Sequence, residues 1–160
     1  RLHEKSRGLG DVYKRQYLVR NAVDIVREKM VARGIELEID EDMPRYWGDS
    51  LRLLEVFQNL LENSIKFMGD QPQPRIRISA VQNDNEVICK VEDNGMGIDP
   101  RYHDRIFNLF ERLNPEIEGT GIGMSLVPRI INAHGGTISV ESAGDQQGCT
   151  IVFSLPVKPE

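Results

Sequence analysis

A stripe of polar side chains runs along one predicted helix of this chain. Asn59, Asn63 and Lys66 fall within about 60° of one another when successive residues turn by roughly 100°. Amide oxygens complete the coordination shell of hard cations, and an ammonium group binds phosphate oxygens. The stripe therefore suits a metal-bound phosphate, although a solvated helix face has the same composition and is the simpler interpretation of the stripe alone.

A carboxylate closes one predicted strand. Period-two alternation puts Asp93 on the same apolar side as Cys89 and Val91, where an unpaired charge is costly and needs a donor. Gly95 and Gly97 follow at once, and glycine lets the backbone approach a flat ligand closely. The amino group of a purine would satisfy the carboxylate. A strand-end aspartate that turns into a glycine loop is the alternative.

Three glycines lead into another predicted helix. The segment Gly119-Thr120-Gly121-Ile122-Gly123 has the spacing G-x-G-x-G and is followed directly by helix-forming residues. Backbone N–H groups in such a loop, together with the helix dipole, attract an anion. The pattern alone is weak, because it lacks the preceding strand and the spacing of a dinucleotide-binding turn.

The composition sets the broad class of the protein. With 160 residues, of which 39% are hydrophobic and 28% charged, the chain matches one globular domain. Its net charge of -5 argues against binding to a nucleic-acid backbone. No apolar run approaches the ~18 residues of a membrane span, and residues 1–16 lack the apolar core of a signal peptide, so we expect a cytoplasmic location. Cys89 and Cys149 stand in alternating apolar stretches, which predicts buried thiols rather than a zinc site or a disulfide.

The candidate site residues need helices and strands to position them. Helical periodicity covers 17–31, 101–110 and 124–134. It also covers a segment that Asp49 or Ser50 caps and that runs through Phe67. Strand patterns cover 35–39, 75–81, 86–93, 137–140 and 150–155, with 82–85 as the turn of a hairpin. The order lacks strict alternation of strand and helix, which favours an α+β two-layer sandwich over a doubly wound parallel sheet. We expect residues 1–16 to be a tail, a linker or a cloning remnant, 17–157 to form the domain and 158–160 to be a tail.

Four segments in order resemble the N, G1, F and G2 boxes of the ATP-binding domain of sensor histidine kinases. They are LLENSIKF, DNGMGI, IFNLFERL and GTGIGMSL. The segments NAHGGTISVES and CTIVFSLP resemble the closing strands of that domain, and LVRNAVDIVREKMVARGIELEID resembles its opening helix and strand. The resemblance spans about Tyr17 to Val157. It implies the Bergerat fold, in which a mixed five-stranded sheet is layered against about three helices and ATP lies between a helix and a mobile lid.

The resemblance also implies roles for residues in the body of the site. Asn63 would coordinate the Mg²⁺ that bridges the phosphates of ATP, Asn59 would line the same site, and Lys66 would reach phosphate. Asp93 would accept a hydrogen bond from adenine. Gly95 and Gly97 would let the chain pass the base.

Further roles are implied for the lid. Its glycine end, Gly119, Thr120, Gly121 and Gly123, would act as a hinge and offer amides to phosphate. At its near end, Phe107 and Phe110 would anchor the lid. Arg112 would stabilise charge on the transferring γ-phosphate, as phosphoryl transfer demands.

Three features depart from the family pattern or add to it. The lid between Arg112 and Gly119 is short and carries Glu116 and Glu118, so we expect it to cover phosphates poorly. Pro128 removes a backbone bond inside its helix and is expected to kink it. His134 matches the family's His-Gly-Gly and is interpreted as a cation at a helix C-terminus.

The residue one helical turn before Asn63 separates two classes of enzyme. Related hydrolases and stand-alone serine kinases of the GHKL superfamily carry a glutamate base at that position, where this chain has Asn59. An amide cannot take up a proton near pH 7, and Glu62 lies about 60° away on the stripe. The resemblance therefore implies a histidine kinase rather than a hydrolase.

The family's phosphoacceptor histidine has no match in this chain. His3 is followed by Lys-Ser-Arg-Gly, which disfavours a long helix, while His103 and His134 fall inside the nucleotide-binding segment. We therefore expect a catalytic fragment that presents Mg-ATP to a histidine on a separate dimerisation domain, with a response regulator as an indirect partner. The alternatives are a non-catalytic nucleotide-binding interaction module and a stand-alone GHKL-type ATPase or protein kinase.

Overall fold

The computed structural model describes residues 15–44, 47–107, 123–142 and 147–157 of the chain. Its helices are α1 (Arg15–Ala32), α2 (Ser50–Lys66) and α3 (Gly123–Ala133), with a 3-10 helix at Pro100–Arg105. Its strands are β1 (Glu36–Ile39), β2 (Arg75–Gln82), β3 (Glu86–Asp93), β4 (Ile138–Glu141) and β5 (Cys149–Pro156). Apart from the 3-10 helix, every element ends within two residues of its predicted bounds.

The five strands form one mixed sheet in the order β1-β2-β3-β5-β4. β1 and β2 are parallel, and the other neighbouring pairs are antiparallel. One face of the sheet is buried under the helices, with α2 packed on β3 and α3 packed on β5. The opposite face carries exposed side chains such as Arg77 and Lys90. The predicted α+β two-layer sandwich is therefore confirmed.

Helix α2 begins at a capped N-terminus and buries one apolar face. The carboxylate of Asp49 accepts hydrogen bonds from the backbone N–H groups of Leu51 at 3.0 Å and Arg52 at 3.3 Å, which satisfies two otherwise unpaired donors. The buried side chains of the helix are Leu53, Val56, Phe57, Leu60, Leu61, Ser64 and Ile65. Phe57 meets Phe153 of β5 edge to face at 5.6 Å between ring centroids, which joins the helix layer to the sheet.

Both cysteines lie in the core, as predicted. Cys89 on β3 and Cys149 on β5 are buried as free thiols. Burial raises the pKa of each thiol to about 12, so both remain protonated at neutral pH and behave as small apolar side chains.

The helix predicted at 101–110 is present as a 3-10 helix, and the predicted end is wrong. Pro100 and the capping carboxylate of Asp99 start a 3-10 helix that stops at Arg105. None of its six residues is buried, so no apolar face is available to extend it into an α-helix. Residues 108–110 lie outside the described part of the chain.

Two further observations bear on the predicted helices. Helix α3 runs without interruption from Gly123 to Ala133 across Pro128. Among the residues that the structure describes, no helix is both long enough and apolar enough to span a lipid bilayer.

Candidate functional site

Asp93 ends β3 at the corner of the sheet where β2 and β5 flank it. It lies opposite Ile76 of β2 and Cys149 of β5. Its Oδ1 accepts the backbone N–H of Gly95 at 2.9 Å, and the hydroxyl of Ser64 and the backbone N–H of Cys149 also donate to the carboxylate. Burial raises the pKa of Asp93 to about 6, and the three hydrogen bonds oppose that rise. The carboxylate is thus held in one orientation in a poorly solvated place.

The glycine loop after Asp93 lies against the C-terminal end of α2. A Cβ atom on Gly95 would stand 2.5 Å from the carbonyl oxygen of Phe67 and 2.9 Å from the Cα of Met68. The backbone N–H of Met96 donates to the same Phe67 carbonyl at 2.9 Å. Gly97 has φ of 75°, a conformation that L side chains rarely adopt. Gly95 is therefore required by close packing and Gly97 by its backbone angle.

The turn before β5 clamps the same loop from the other side. The backbone N–H of Gly148 donates to the carbonyl of Gly95 at 3.1 Å, and a Cβ on Gly148 would stand 2.5 Å from the carbonyl oxygen of Asp93. The hydroxyl of Ser142 donates to the Gly148 carbonyl at 2.7 Å and accepts the backbone N–H of Ile98 at 3.1 Å. These contacts fix the loop that follows Asp93 relative to β5.

Three of these residues were missed by the sequence reasoning: Ser64, Ser142 and Gly148. Ser64 is 3% exposed and stands among the apolar residues of α2, and a hydroxyl in a buried helical position is a signal that it has a partner. Ser142 and Gly148 lack such a signal, because their roles depend on contacts between distant segments.

The polar stripe of α2 meets the start of α3. Asn59 and Asn63 are half-buried and Lys66 is exposed. A Cβ atom on Gly123, the first residue of α3, would stand 2.9 Å from Oδ1 of Asn59. The stripe and the positive end of an eleven-residue helix therefore face the same region, which suits an anion.

Glu62 borders the stripe on the side of α2 that faces α1. Its carboxylate pairs with Nζ of Lys29 on α1 at 3.2 Å and accepts a hydrogen bond from Nε2 of Gln58 at 3.1 Å. These contacts orient Glu62 towards α1. They disfavour it as a base for the stripe that carries Asn59 and Asn63.

The interpretation of His134 as a cation is wrong. Its Nε2 accepts the backbone N–H of Asp49 at 2.9 Å, so this nitrogen carries no proton. Its Nδ1 lies 2.7 Å from the carbonyl of Ile130, where Nδ1–H donates. Both contacts require the neutral ring with the proton on Nδ1.

Most residues of the predicted lid lie outside the described part of the chain. These are Phe110, Arg112, Gly119, Thr120 and Gly121, together with Glu116 and Glu118. Phe107 is half-buried and packs against the core. The roles given to Phe107 and to the other lid residues remain predictions.

The donor set of the site fits a metal that is bound mainly through phosphates. No group of three or more His, Cys, Asp or Glu side chains that could hold an ion occurs in 15–44, 47–107, 123–142 or 147–157. Mg²⁺ commonly takes one or two protein ligands and completes its shell with phosphate oxygens and water. The amides of Asn59 and Asn63 are compatible with that mode.

Comparisons with known proteins agree with this geometry. A family model described as histidine kinase-, DNA gyrase B- and HSP90-like ATPase matches residues 48–159. The methanogenesis regulatory histidine kinase FilI of Methanothrix harundinacea is 40% identical over 139 residues, which are 87% of this chain and 16% of FilI. This chain therefore spans less than a fifth of the length of that relative.

Solved structures show the same fold. The mycobacterial sensor histidine kinase MprB superposes on this chain with a TM-score of 0.81 at 25% sequence identity. The match covers 95% of this chain and 100% of the MprB chain. The histidine kinase ThkA, solved in complex with the response regulator protein TrrA, superposes with a TM-score of 0.74 at 25% sequence identity. That match covers 92% of this chain and 41% of the ThkA chain. Together with the matched family model and the corner that Asp93 occupies, these likenesses show that the chain belongs to the histidine kinase-, DNA gyrase B- and HSP90-like ATPases and corresponds to the ATP-binding catalytic domain of a histidine kinase.

Proposed function

We propose that this chain binds Mg-ATP and presents the γ-phosphate to a histidine on a separate dimerisation domain of a two-component sensor kinase. One observation carries the proposal: α2 contacts both Asp93 and the first residue of α3, which in this proposal hold the two ends of the nucleotide. Ser64 on its buried side donates to Asp93, and Asn59 on its polar side meets the N-terminus of α3. A single rigid helix thus sets the distance between a base-binding carboxylate and a phosphate-binding region.

Each residue has a task that its chemistry allows. Asp93 accepts a hydrogen bond from the amino group of adenine, and Gly95 and Gly97 allow the close packing and the backbone angle of the loop that passes the base. Asn63 is a ligand for Mg²⁺, and Lys66 pairs with a phosphate oxygen. Bound Mg²⁺ supplies neutralisation of charge on the phosphate oxygens.

The lid completes the proposal. Gly119, Thr120, Gly121 and Gly123 give backbone amides to the phosphates, and Phe107 and Phe110 hold the opposite end. Arg112 stabilises the charge that develops on the γ-phosphate during transfer.

Transfer to an acceptor is favoured over hydrolysis. Asn59 cannot remove a proton from water, and Glu62 is engaged by Lys29 and Gln58. Neither Asn59 nor Glu62 of α2 is therefore suited to activate water. The likeness to ThkA in its complex with TrrA supports a response regulator as an indirect partner, and a cytoplasmic location accords with such a partner.

The test is transfer of labelled γ-phosphate from ATP to a dimerisation hairpin of a related kinase. We expect label on the histidine of the hairpin, no label when that histidine is replaced by glutamine, and no label on this chain alone. Arg112→Ala should lower the transfer rate more than it lowers ATP affinity. ATP binding without transfer would instead favour an interaction module, and turnover by the chain alone near ~1 s⁻¹, ordinary for enzymes, would favour a stand-alone ATPase.

A further inference from the structure

Helices α2 and α3 are antiparallel and touch at both ends of α3. At one end the backbone N–H of Asp49, the residue that caps α2, donates to Nε2 of His134, which follows α3 directly. At the other end Asn59 lies against Gly123, the first residue of α3. The two contacts are separated by about 15 Å along each helix, at a rise of 1.5 Å per residue.

The imidazole of His134 connects the two helices through both of its nitrogens. Nδ1 donates to the carbonyl of Ile130 in the last turn of α3, at 2.7 Å, and Nε2 accepts the N–H of Asp49, at 2.9 Å. The side chain of Asp49 caps α2 at the same time. The end of α3 is therefore hydrogen-bonded to the residue that starts α2.

The ring fits a confined space. A Cβ atom on Gly48 would stand 2.9 Å from Cδ2 and 3.1 Å from Nε2 of His134. Gly48 itself is buried, so the ring packs directly on backbone. This contact leaves the imidazole little freedom to turn away from Asp49.

Helix α3 depends on such outside contacts more than an ordinary helix does. Pro128 stands inside it and has no N–H to donate to the carbonyl of Met124. The first turn of α3, which contains Gly123, therefore has one internal hydrogen bond fewer. The position of this first turn relative to Asn59 therefore depends more on the contacts that hold the rest of α3 against α2.

We propose that His134 is a positioning residue for the phosphate end of the site. Its neutral imidazole fixes the end of α3 to the start of α2, and the helix transmits that alignment to the contact between Gly123 and Asn59. Its consequence for nucleotide binding rests on the proposed function, whereas the alignment itself is a property of the protein without nucleotide.

Two matched variants separate the contacts of the ring. The amide of His134→Gln reaches the place of Nε2 and can accept from Asp49, whereas the shorter amide of His134→Asn reaches only the place of Nδ1 and can donate to Ile130. Affinities for Mg-ATP and for ADP without metal are measured by calorimetry in each variant of the 160-residue chain. The side-chain amide of Asn59 and the backbone amide of Gly123 are followed by ¹⁵N NMR without nucleotide.

We expect His134→Asn to weaken Mg-ATP binding by about fivefold, the factor that corresponds to one net hydrogen bond, and ADP binding by less. The NMR signals of Asn59 and Gly123 should shift in His134→Asn and return in His134→Gln. Equal behaviour of the two variants, or unmoved signals in both, would overturn the proposal. An unaltered chain that binds no ATP would overturn the proposed function, and the NMR comparison would still decide the role of His134.

Discussion

The side-chain oxygen of Asn59 lies 2.9 Å from the position that a Cβ atom on Gly123 would occupy. This contact brings the amide stripe of α2 to the first residue of α3, although the two residues are far apart in the sequence. Because the crowding atom is the end of a flexible side chain, an added methyl group can be accommodated by moving Asn59.

Gly123→Ala should therefore weaken binding of Mg-ATP without lowering the stability of the fold. Alanine is a better helix former than glycine by roughly 0.5–1 kcal/mol, so the melting temperature should stay the same or rise. The displaced Asn59 should weaken Mg-ATP binding. Calorimetry and thermal unfolding of the same samples test this, with Gly34→Ala as a control in which the added Cβ meets no atom within 4 Å but the φ of 64° imposes strain away from the site. A loss of stability in Gly123→Ala that matches its loss of affinity would contradict the prediction.

Asp93→Asn should weaken binding of ATP by about 1.5–3 kcal/mol, the range for a hydrogen bond to a charged group. The carboxylate accepts from the amino group of adenine, and the side-chain amide presents a donor as well as a weaker acceptor. GTP should bind poorly to the unaltered chain, because guanine has a carbonyl where adenine has its amino group. Equal calorimetric affinities for ATP and GTP would rule out this role for Asp93.

The ionisation of Asp93 should give stability and binding opposite pH dependences. Burial raises the pKa of Asp93 from its ordinary value of 3.8 to about 6, so the folded protein holds this proton more tightly than the unfolded chain does. The contribution to stability is complete below the ordinary value and is lost as the pH rises through about 6. ATP affinity should change the other way, since the ionised carboxylate is the better acceptor.

The difference between the unaltered chain and Asp93→Asn isolates this effect from other titrating groups. Denaturant unfolding and calorimetry between pH 5 and pH 8, roughly the interval around the raised value, measure the two trends. Ser64→Ala removes one donor to the carboxylate and should move both midpoints to higher pH. Stability and affinity that change in the same direction would show that Asp93 is not the group responsible.

Asn63→Ala should remove the part of ATP affinity that depends on Mg²⁺. An amide oxygen is a suitable ligand for a hard cation, whereas the methyl group of alanine has no donor. Binding of ADP without metal should stay close to that of the unaltered chain. Uniform loss of affinity with and without Mg²⁺ would instead indicate a general defect in folding.

Local patterns determined most of the elements of this protein. Helix α2 follows from a capping aspartate and a 3.6-residue apolar period, and the β2–β3 hairpin follows from period-two alternation on either side of a polar turn. The side on which Asp93 lies follows from the same alternation. These features depend on residues within a few positions of one another, so one sequence is enough to predict them.

Only the tertiary structure decided what surrounds those elements. Ser64, Gly148 and the backbone of Cys149 converge on Asp93 or its loop because α2, β3 and β5 meet at one corner. The 3-10 helix at Pro100–Arg105 lacks the buried face that a longer helix would need. The physical reason is that register between strands and packing between helices join residues far apart in the chain, and no local period records which of them will meet.

For Glu62 and His134, the local pattern predicts the position of the side chain, and the tertiary structure decides its partner. The helical period places Glu62 on α2 beside the amide stripe, but only the packing of α1 pairs it with Lys29. The end of α3 likewise predicts the place of His134, where the local rule favours a cation. The approach of Asp49 from another helix supplies an N–H donor to its Nε2, and a nitrogen that accepts a hydrogen bond cannot also hold the proton that a cation needs.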